Sequence, residues 1–291
     1  MIRVEATSAG TNLAAALSQN FDQDDEVRFW WLGQAGFALK YKAKLLLIDP
    51  YLSDSLAKKY RNSELKHLRM LPIPVAPELI SGCNWYFCTH GHTDHMDAPT
   101  IRGVRQASSP FFLIPRAEIG RGVERGIPAD RMYPLNAGET LELDRDITVE
   151  AVASAHEDLA MDAQGNYKYL GYVISLGGMR LYHSGDCVPY PGLDRQLAAQ
   201  KIDVAFLPIN GRDEYRSSRG VPGNFTLAEA IELCRAANIR HLVGHHFGMF
   251  SFNTIGRDTA QTILQQQADA LNWVLPEIGL TYCIRKVGAN L

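Results

Sequence analysis

Residues 89–97 read Thr-His-Gly-His-Thr-Asp-His-Met-Asp, which places His90, His92, Asp94, His95 and Asp97 within eight positions. Imidazole nitrogens and carboxylate oxygens are ligands for zinc, and they also suit manganese and iron. The run offers more ligands than one tetrahedral ion uses, so two ions are the natural reading. Two ions a few Å apart polarise an ester or phosphate and lower the pKa of a shared water. The chemistry these residues point to is hydrolysis. A polar surface loop is a poor account of such density directly after an apolar run ending Tyr-Phe-Cys.

Further candidates lie downstream, each where an apolar run ends. His156 follows the run 147–154, Asp186 follows 180–183 within Tyr-His-Ser-Gly-Asp-Cys, and His245 and His246 follow 241–244. In isolation His156 reads as a loop histidine and Asp186 as a turn residue. Their repeated placement at strand ends points instead to convergence on one edge of a sheet scaffold. Asp97 reads equally as an acceptor for a ligand N–H and as an exposed loop carboxylate. His183 reads as packed in or beside its strand, and His67 and His241 as structural or surface residues.

The elements that must position these residues follow from patterning. Apolar and β-branched runs predict strands at 27–32, 37–41, 44–49, 85–88, 110–114, 139–143, 147–154, 169–175, 180–183, 204–208 and 241–244. Helices are predicted at 116–126, from an N-cap at Thr226 through 237 with Glu229 closing a capping box, and at 258–271. The Gly33-Gln34-Ala35-Gly36 turn and the Asp49-Pro50 stop punctuate the first strands. Paired strands with intervening helices favour two packed sheets flanked by helices.

The order of these ligands carries a family resemblance. His90-Gly-His92-Thr-Asp94-His95, followed by His156, Asp186 and a final histidine, resembles the signature of the metallo-β-lactamase-fold hydrolases over residues 28–250. Short segments at 31–36, 182–186, 208–211, 223–224 and 245–247 resemble the branch that contains L-ascorbate-6-phosphate lactonase. The resemblance implies an α/β fold, a four-layer αββα sandwich, built by residues 1–291 as a single domain. It implies two divalent ions, zinc or manganese and alternatively iron. His90, His92 and His156 would hold the first ion, Asp94, His95 and His246 the second, and Asp186 would bridge them. His246 is preferred over His245 because His-Phe-Gly-Met-Phe resembles the corresponding run of relatives. A hydroxide between the ions would be the nucleophile, with Asp94 and His246 catalytic as well as ligating.

The rest of the chain bounds the substrate. A net charge of −3 and 46% hydrophobic residues describe an ordinary globular chain with no global signal for nucleic acid. The five cysteines lack a C-x-x-C pair, so buried reduced thiols in a cytoplasmic protein are expected. No apolar run approaches a membrane span, and a homo-oligomer is compatible with this composition. The loop 210–224 holds Asn210, Arg212, Tyr215, Arg216 and Arg219. Its guanidinium groups would clamp a small anionic substrate, or else belong to a solvated, salt-bridged loop. The run Lys58-Lys59-Tyr60-Arg61 reads as a solvated helix face. The expected activity is cleavage of a lactone or phosphoester, with a sugar-phosphate lactone such as L-ascorbate 6-phosphate as the leading case. The alternatives are a phosphodiesterase acting on nucleic acid or phospholipid, and a metal-bound binding protein without turnover.

Overall fold

The computed structural model describes residues 2–9 and 12–286. Its first sheet runs in the order β1 (Ile2–Ala9), β15 (Leu280–Lys286), β2 (Glu26–Gly33), β3 (Gly36–Tyr41), β4 (Lys44–Ile48), β5 (Cys83–Phe87), β6 (Phe111–Pro115) and β7 (Met132–Leu135). The second runs β14 (Asn272–Val274), β13 (His241–His245), β12 (Val204–Pro208), β11 (Met179–His183), β10 (Leu170–Leu176), β9 (Ile147–Ala153) and β8 (Thr140–Asp144). Each sheet is antiparallel on one side and parallel on the other.

Strict alternation builds the layers. In β2, Val27, Phe29 and Trp31 join the core between the sheets, while Trp30 and Leu32 turn to the outer face. In β4, Leu46 and Ile48 point inward, and Leu45 and Leu47 outward. Between the sheets Phe206 of β12 packs edge-on against Phe29 at 5.3 Å and Phe37 at 4.9 Å. Each such fully buried ring contributes about 1.5–3 kcal/mol. The outer face of the first sheet is covered by α1 (Leu13–Ser18), through Leu13 and Leu17, and by α3 (Ala98–Ala107), through Ile101 and Val104. The second sheet is covered by α5 (Leu193–Gln200), α7 (Leu227–Ala236) and α8 (Arg257–Gln267). The architecture is the αββα sandwich expected from the sequence.

Helix α7 starts as expected: Thr226 accepts from the Glu229 backbone and the Glu229 carboxylate returns to the Thr226 N–H. The predicted helix 116–126 is instead a 3-10 turn followed by α4 (Ile119–Glu124). Gly120 and Gly122 weaken a longer helix there. The predicted helix at 258–271 stops at Gln267. Helix α3 escaped the pattern reading, although Asp97 caps it and Pro99 lies in its first turn. Strands β1, β7, β14 and β15 and helix α5 also went unread, being short, half-polar or at sheet edges. All five cysteines are buried and free. Among the described residues no helix is long and apolar enough to cross a membrane.

Candidate metal centre

Four loops leave the C-terminal ends of β5, β9, β11 and β13 and meet. The first crosses from Cys88 to Asp97, turning through the backbone bonds Met96 N–His92 O (2.8 Å) and His95 N–His92 O (3.2 Å). Gly91 lies close under the side-chain ends of Glu118 and Arg121, which a Cβ there would displace. The third loop brings Asp186 through Gly185, at φ +62°, where a Cβ would press on Thr89. At the end of β13, His246 adopts φ +58°, a left-handed conformation rare for a side chain of this size. That turn separates the two adjacent histidines. His245 stays in the sheet and stacks on His183 at 4.7 Å, whereas His246 swings into the cluster.

Three overlapping groups result, each with its ligand atoms within 4.8 Å of one another: His90, His92 and His156; His90, His95 and Asp186; Asp94, His95 and His246. Asp186 spans them. Its Oδ1 lies 3.4 Å from His95 Nε2, and its Oδ2 lies 3.1 Å from His246 Nε2 and 3.7 Å from His156 Nε2. Asp94 Oδ2 lies 3.7 Å from His95 Nε2 and 3.9 Å from His246 Nε2. The seven side chains singled out in the sequence are therefore neighbours in space.

The remaining polar groups orient them. Asp49, just past β4 at φ +44°, was read only as a strand stop. Its Oδ2 accepts from His95 Nδ1 at 2.6 Å and from Thr89 Oγ1 at 2.5 Å, and its Oδ1 accepts from the Thr89 N–H at 2.8 Å. The Thr89 hydroxyl, having donated to Asp49, is free to accept from His90 Nδ1, 3.0 Å away. Both imidazoles thus turn Nε2 inward, and neither Nε2 has a hydrogen-bond partner. Asp186 Oδ1 is also buried and unpaired. Gln34 donates from Nε2 to Asp94 Oδ2 at 2.9 Å and lies 3.1 Å from His246 Nε2. Asp97 takes a different place from either expected one. It is buried, caps α3, and accepts from Ser55 Oγ at 2.6 Å.

Burial pushes His90 and His92 below the ordinary imidazole range and holds His156 at about 4. Neutral imidazole is the form that binds a metal. Burial opposes charge on His95 too, but Asp186, Asp49 and Asp94 surround it and raise it well above that range. Burial would likewise raise Asp186, yet the charges of His246 and His95 hold it well below the usual carboxylate range. Buried imidazole nitrogens and a carboxylate oxygen that converge at these distances without hydrogen-bond partners are an arrangement that a cation completes. The donor set therefore fits divalent metal.

A pH dependence of stability follows for the metal-free protein. His90, His92, His156, His183 and His245 all have lowered values in the fold, chiefly through burial. Below pH 6.5 the unfolded chain takes up protons that these groups refuse, so stability falls with pH by about 1.4 kcal/mol per group per unit at most. His95 acts in the opposite sense: its contribution is present below pH 6.5 and is lost as pH rises through its raised value. Burial lowers His67 and His241 as well, so seven histidines against one set the direction. Urea melts of chelated protein between pH 7 and 4.5 are expected to show steadily falling stability, and a flat profile would contradict the burial argument.

The cluster floors an open cavity of about 160 Å³. Of the five loop residues expected to hold an anion, Arg219 lines this cavity. Asn210 is buried, donating to Asn253 Oδ1 at 2.7 Å. Arg212 grips Glu229, Arg216 is buried against Asp213 and Asn253, and Tyr215 is exposed beneath Arg219. Lys59, at the end of α2 (Ser55–Lys59), is solvent-exposed like Lys58 and Arg61, as a solvated helix face requires, and it also lines the cavity.

A family model described as a beta-lactamase superfamily domain matches residues 45–247. A metal-dependent hydrolase of Archaeoglobus fulgidus is 31% identical over 216 residues, covering 72% of this chain and 79% of the relative. A metal-dependent hydrolase of Myxococcus xanthus is 26% identical over 261 residues, covering 87% and 81%. The solved isothiocyanate hydrolase from Delia radicum gut bacteria superposes with a TM-score of 0.68 at 18% identity, over 87% of this chain and 98% of that one, a likeness of fold. The chain belongs to the beta-lactamase superfamily, in its metallo-β-lactamase-fold hydrolase form.

Proposed function

We propose that this protein is a two-metal hydrolase that cleaves an ester, lactone or phosphoester in a small anionic molecule. The observation that carries it is the convergence of seven ligating side chains on a cavity floor where His90 Nε2, His95 Nε2 and Asp186 Oδ1 are buried and unpaired. His90, His92 and His156 would hold one ion, Asp94, His95 and His246 the other, and Asp186 both. When bound, such ions lower the pKa of water and polarise the scissile group. Zinc and manganese both suit this donor set, and iron is the third candidate.

The chain's own residues do the rest. Asp49 and Thr89 hold His95 and His90 with Nε2 toward the floor. Gln34 holds the Asp94 carboxylate at 2.9 Å, where its oxygens can accept a water O–H and aim the attack. Tyr169 packs its ring 5.2–5.3 Å from His90 and His156 and shields that side from solvent. In the reaction the water oxygen bonds to the acyl carbon or phosphorus as the bond to the leaving oxygen breaks. The leaving oxygen departs with a proton from that water.

The cavity volume and the net charge of −3 favour a small substrate over nucleic acid. A sugar-phosphate lactone, L-ascorbate 6-phosphate first, is the compound to assay. Five buried free thiols suit a reducing, cytoplasmic setting. Chelation is expected to abolish hydrolysis, and zinc or manganese to restore it. Turnover indifferent to chelation, in protein shown by elemental analysis to be metal-free, would refute the proposal.

A further inference from the structure

The wall facing the metal-ligand cluster is built by two loops whose chemistry the floor does not use. The segment between β4 and β5 supplies Lys59, Tyr60 and His67, and the segment between β12 and α7 supplies Arg219. Lys59 forms no ion pair among the described residues, and its Nζ lies 5.0 Å from the centre of the Tyr60 ring. An unpaired ammonium at the rim of a cavity floored by histidines and aspartates is placed to meet an incoming anion.

Arg219 is held from beneath rather than consumed. Its guanidinium lies 3.9 Å over the Tyr215 ring and its Nη1 donates to the Tyr215 carbonyl at 3.2 Å. Among the described residues its one acidic partner is Glu64 at 3.3 Å, a carboxylate 68% exposed. An exposed pair of this kind is weak, so Arg219 can exchange Glu64 for another oxyanion. The neighbouring arginines are already engaged by protein partners. Arg212 binds Glu229 through both Nη atoms at 2.7 and 2.6 Å. Arg216 binds Asp213 at 2.7 Å, the Asn210 carbonyl at 3.0 Å and Asn253 at 2.7 Å. These two brace the loop, and Arg219 is the one presented to the cavity. The same cavity is lined by a set of packed rings: His67 stacks on Tyr60 at 4.2 Å and meets the Phe250 ring at 5.0 Å.

We infer that Lys59 and Arg219 form a two-cation subsite for the oxyanion end of the substrate, a phosphate or carboxylate joined to the reacting group by a spacer lying on Tyr60 and His67. Glu64 is the internal competitor for that subsite. The assignment of the opposite end as the reacting one rests on the proposed hydrolase activity, whereas the anion binding itself does not.

Inorganic phosphate is the probe, titrated calorimetrically into the full chain in its metal-loaded and chelated forms. The wild type is expected to bind phosphate in both forms, more weakly as salt is raised. The Lys59→Ala/Arg219→Ala double variant is expected to weaken binding by about tenfold or more in both forms, with bound metal unchanged. Glu64→Gln is expected to tighten it about threefold. Acetate in parallel titrations tells a carboxylate subsite from a phosphate one by which anion binds more tightly. Phosphate affinity in the double variant within twofold of wild type would overturn the inference. Binding that survives the double substitution but disappears on chelation would overturn it as well, since the phosphate would then sit on the ions alone. A protein that binds phosphate through Lys59 and Arg219 yet takes up no metal and hydrolyses nothing would leave the subsite standing and defeat the hydrolase proposal.

Discussion

Asp186→Ala is expected to lower hydrolysis by about three orders of magnitude or more, the equivalent of several kcal/mol of lost transition-state stabilisation. The carboxylate reaches both halves of the cluster, with Oδ1 near His95 and Oδ2 near His246 and His156. Its loss leaves the two triads without a shared anion, so metal bound per chain should fall as well. Elemental analysis and steady-state rates on the same preparation test both statements. A variant that keeps two ions and turns over within tenfold of wild type would remove Asp186 from the mechanism.

Asp49→Asn is expected to weaken metal binding 10–100-fold without touching any metal-facing atom, the usual consequence of removing a carboxylate behind a ligating histidine. The Asp49 oxygens receive three hydrogen bonds, one each from the Thr89 N–H, the Thr89 hydroxyl and His95 Nδ1. An amide keeps the shape but replaces one acceptor oxygen with a donor, so either the Thr89 or the His95 bond must break. Activity should then recover in excess metal, which a purely structural lesion would not allow. Asp49→Ala goes further and leaves buried donors without partners, costing about 3–5 kcal/mol. Urea melts and chelator competition separate the two effects, and unaltered metal affinity in Asp49→Asn would show that His95 needs no such support.

The sandwich was legible because its central strands alternate cleanly, as Val27, Phe29 and Trp31 do against Trp30 and Leu32. The ligand run was legible because four of its members lie within six residues after a buried strand. The preference for His246 over His245 rests on the family resemblance of His-Phe-Gly-Met-Phe; the backbone angle that separates the two, +58° at His246, is not announced by residue type or spacing. Asp49 was hidden for a related reason. An Asp-Pro pair after a strand looks like a stop, and its acceptor role appears only when β4 and β5 lie side by side and bring Thr89 to it. A carboxylate closing the apolar run 45–48 was the available signal. For the arginines at 212, 216 and 219 the residue type was informative, but which one reaches the cavity depends on Glu229, Asp213 and Asn253, partners set by tertiary packing. Lys59 was masked by the charged run around it.

The position of β15 has a consequence for the order of synthesis. Residues 280–286 lie between β1 and β2, so strand 2–9 has no neighbour in the first sheet until that late segment has left the ribosome. At about 5–20 residues per second, the N-terminal strand waits many seconds as an unpaired edge, and so does one side of β2. His246 emerges before this closing strand. All seven candidate ligands therefore precede, in the chain, the strand that closes the first sheet.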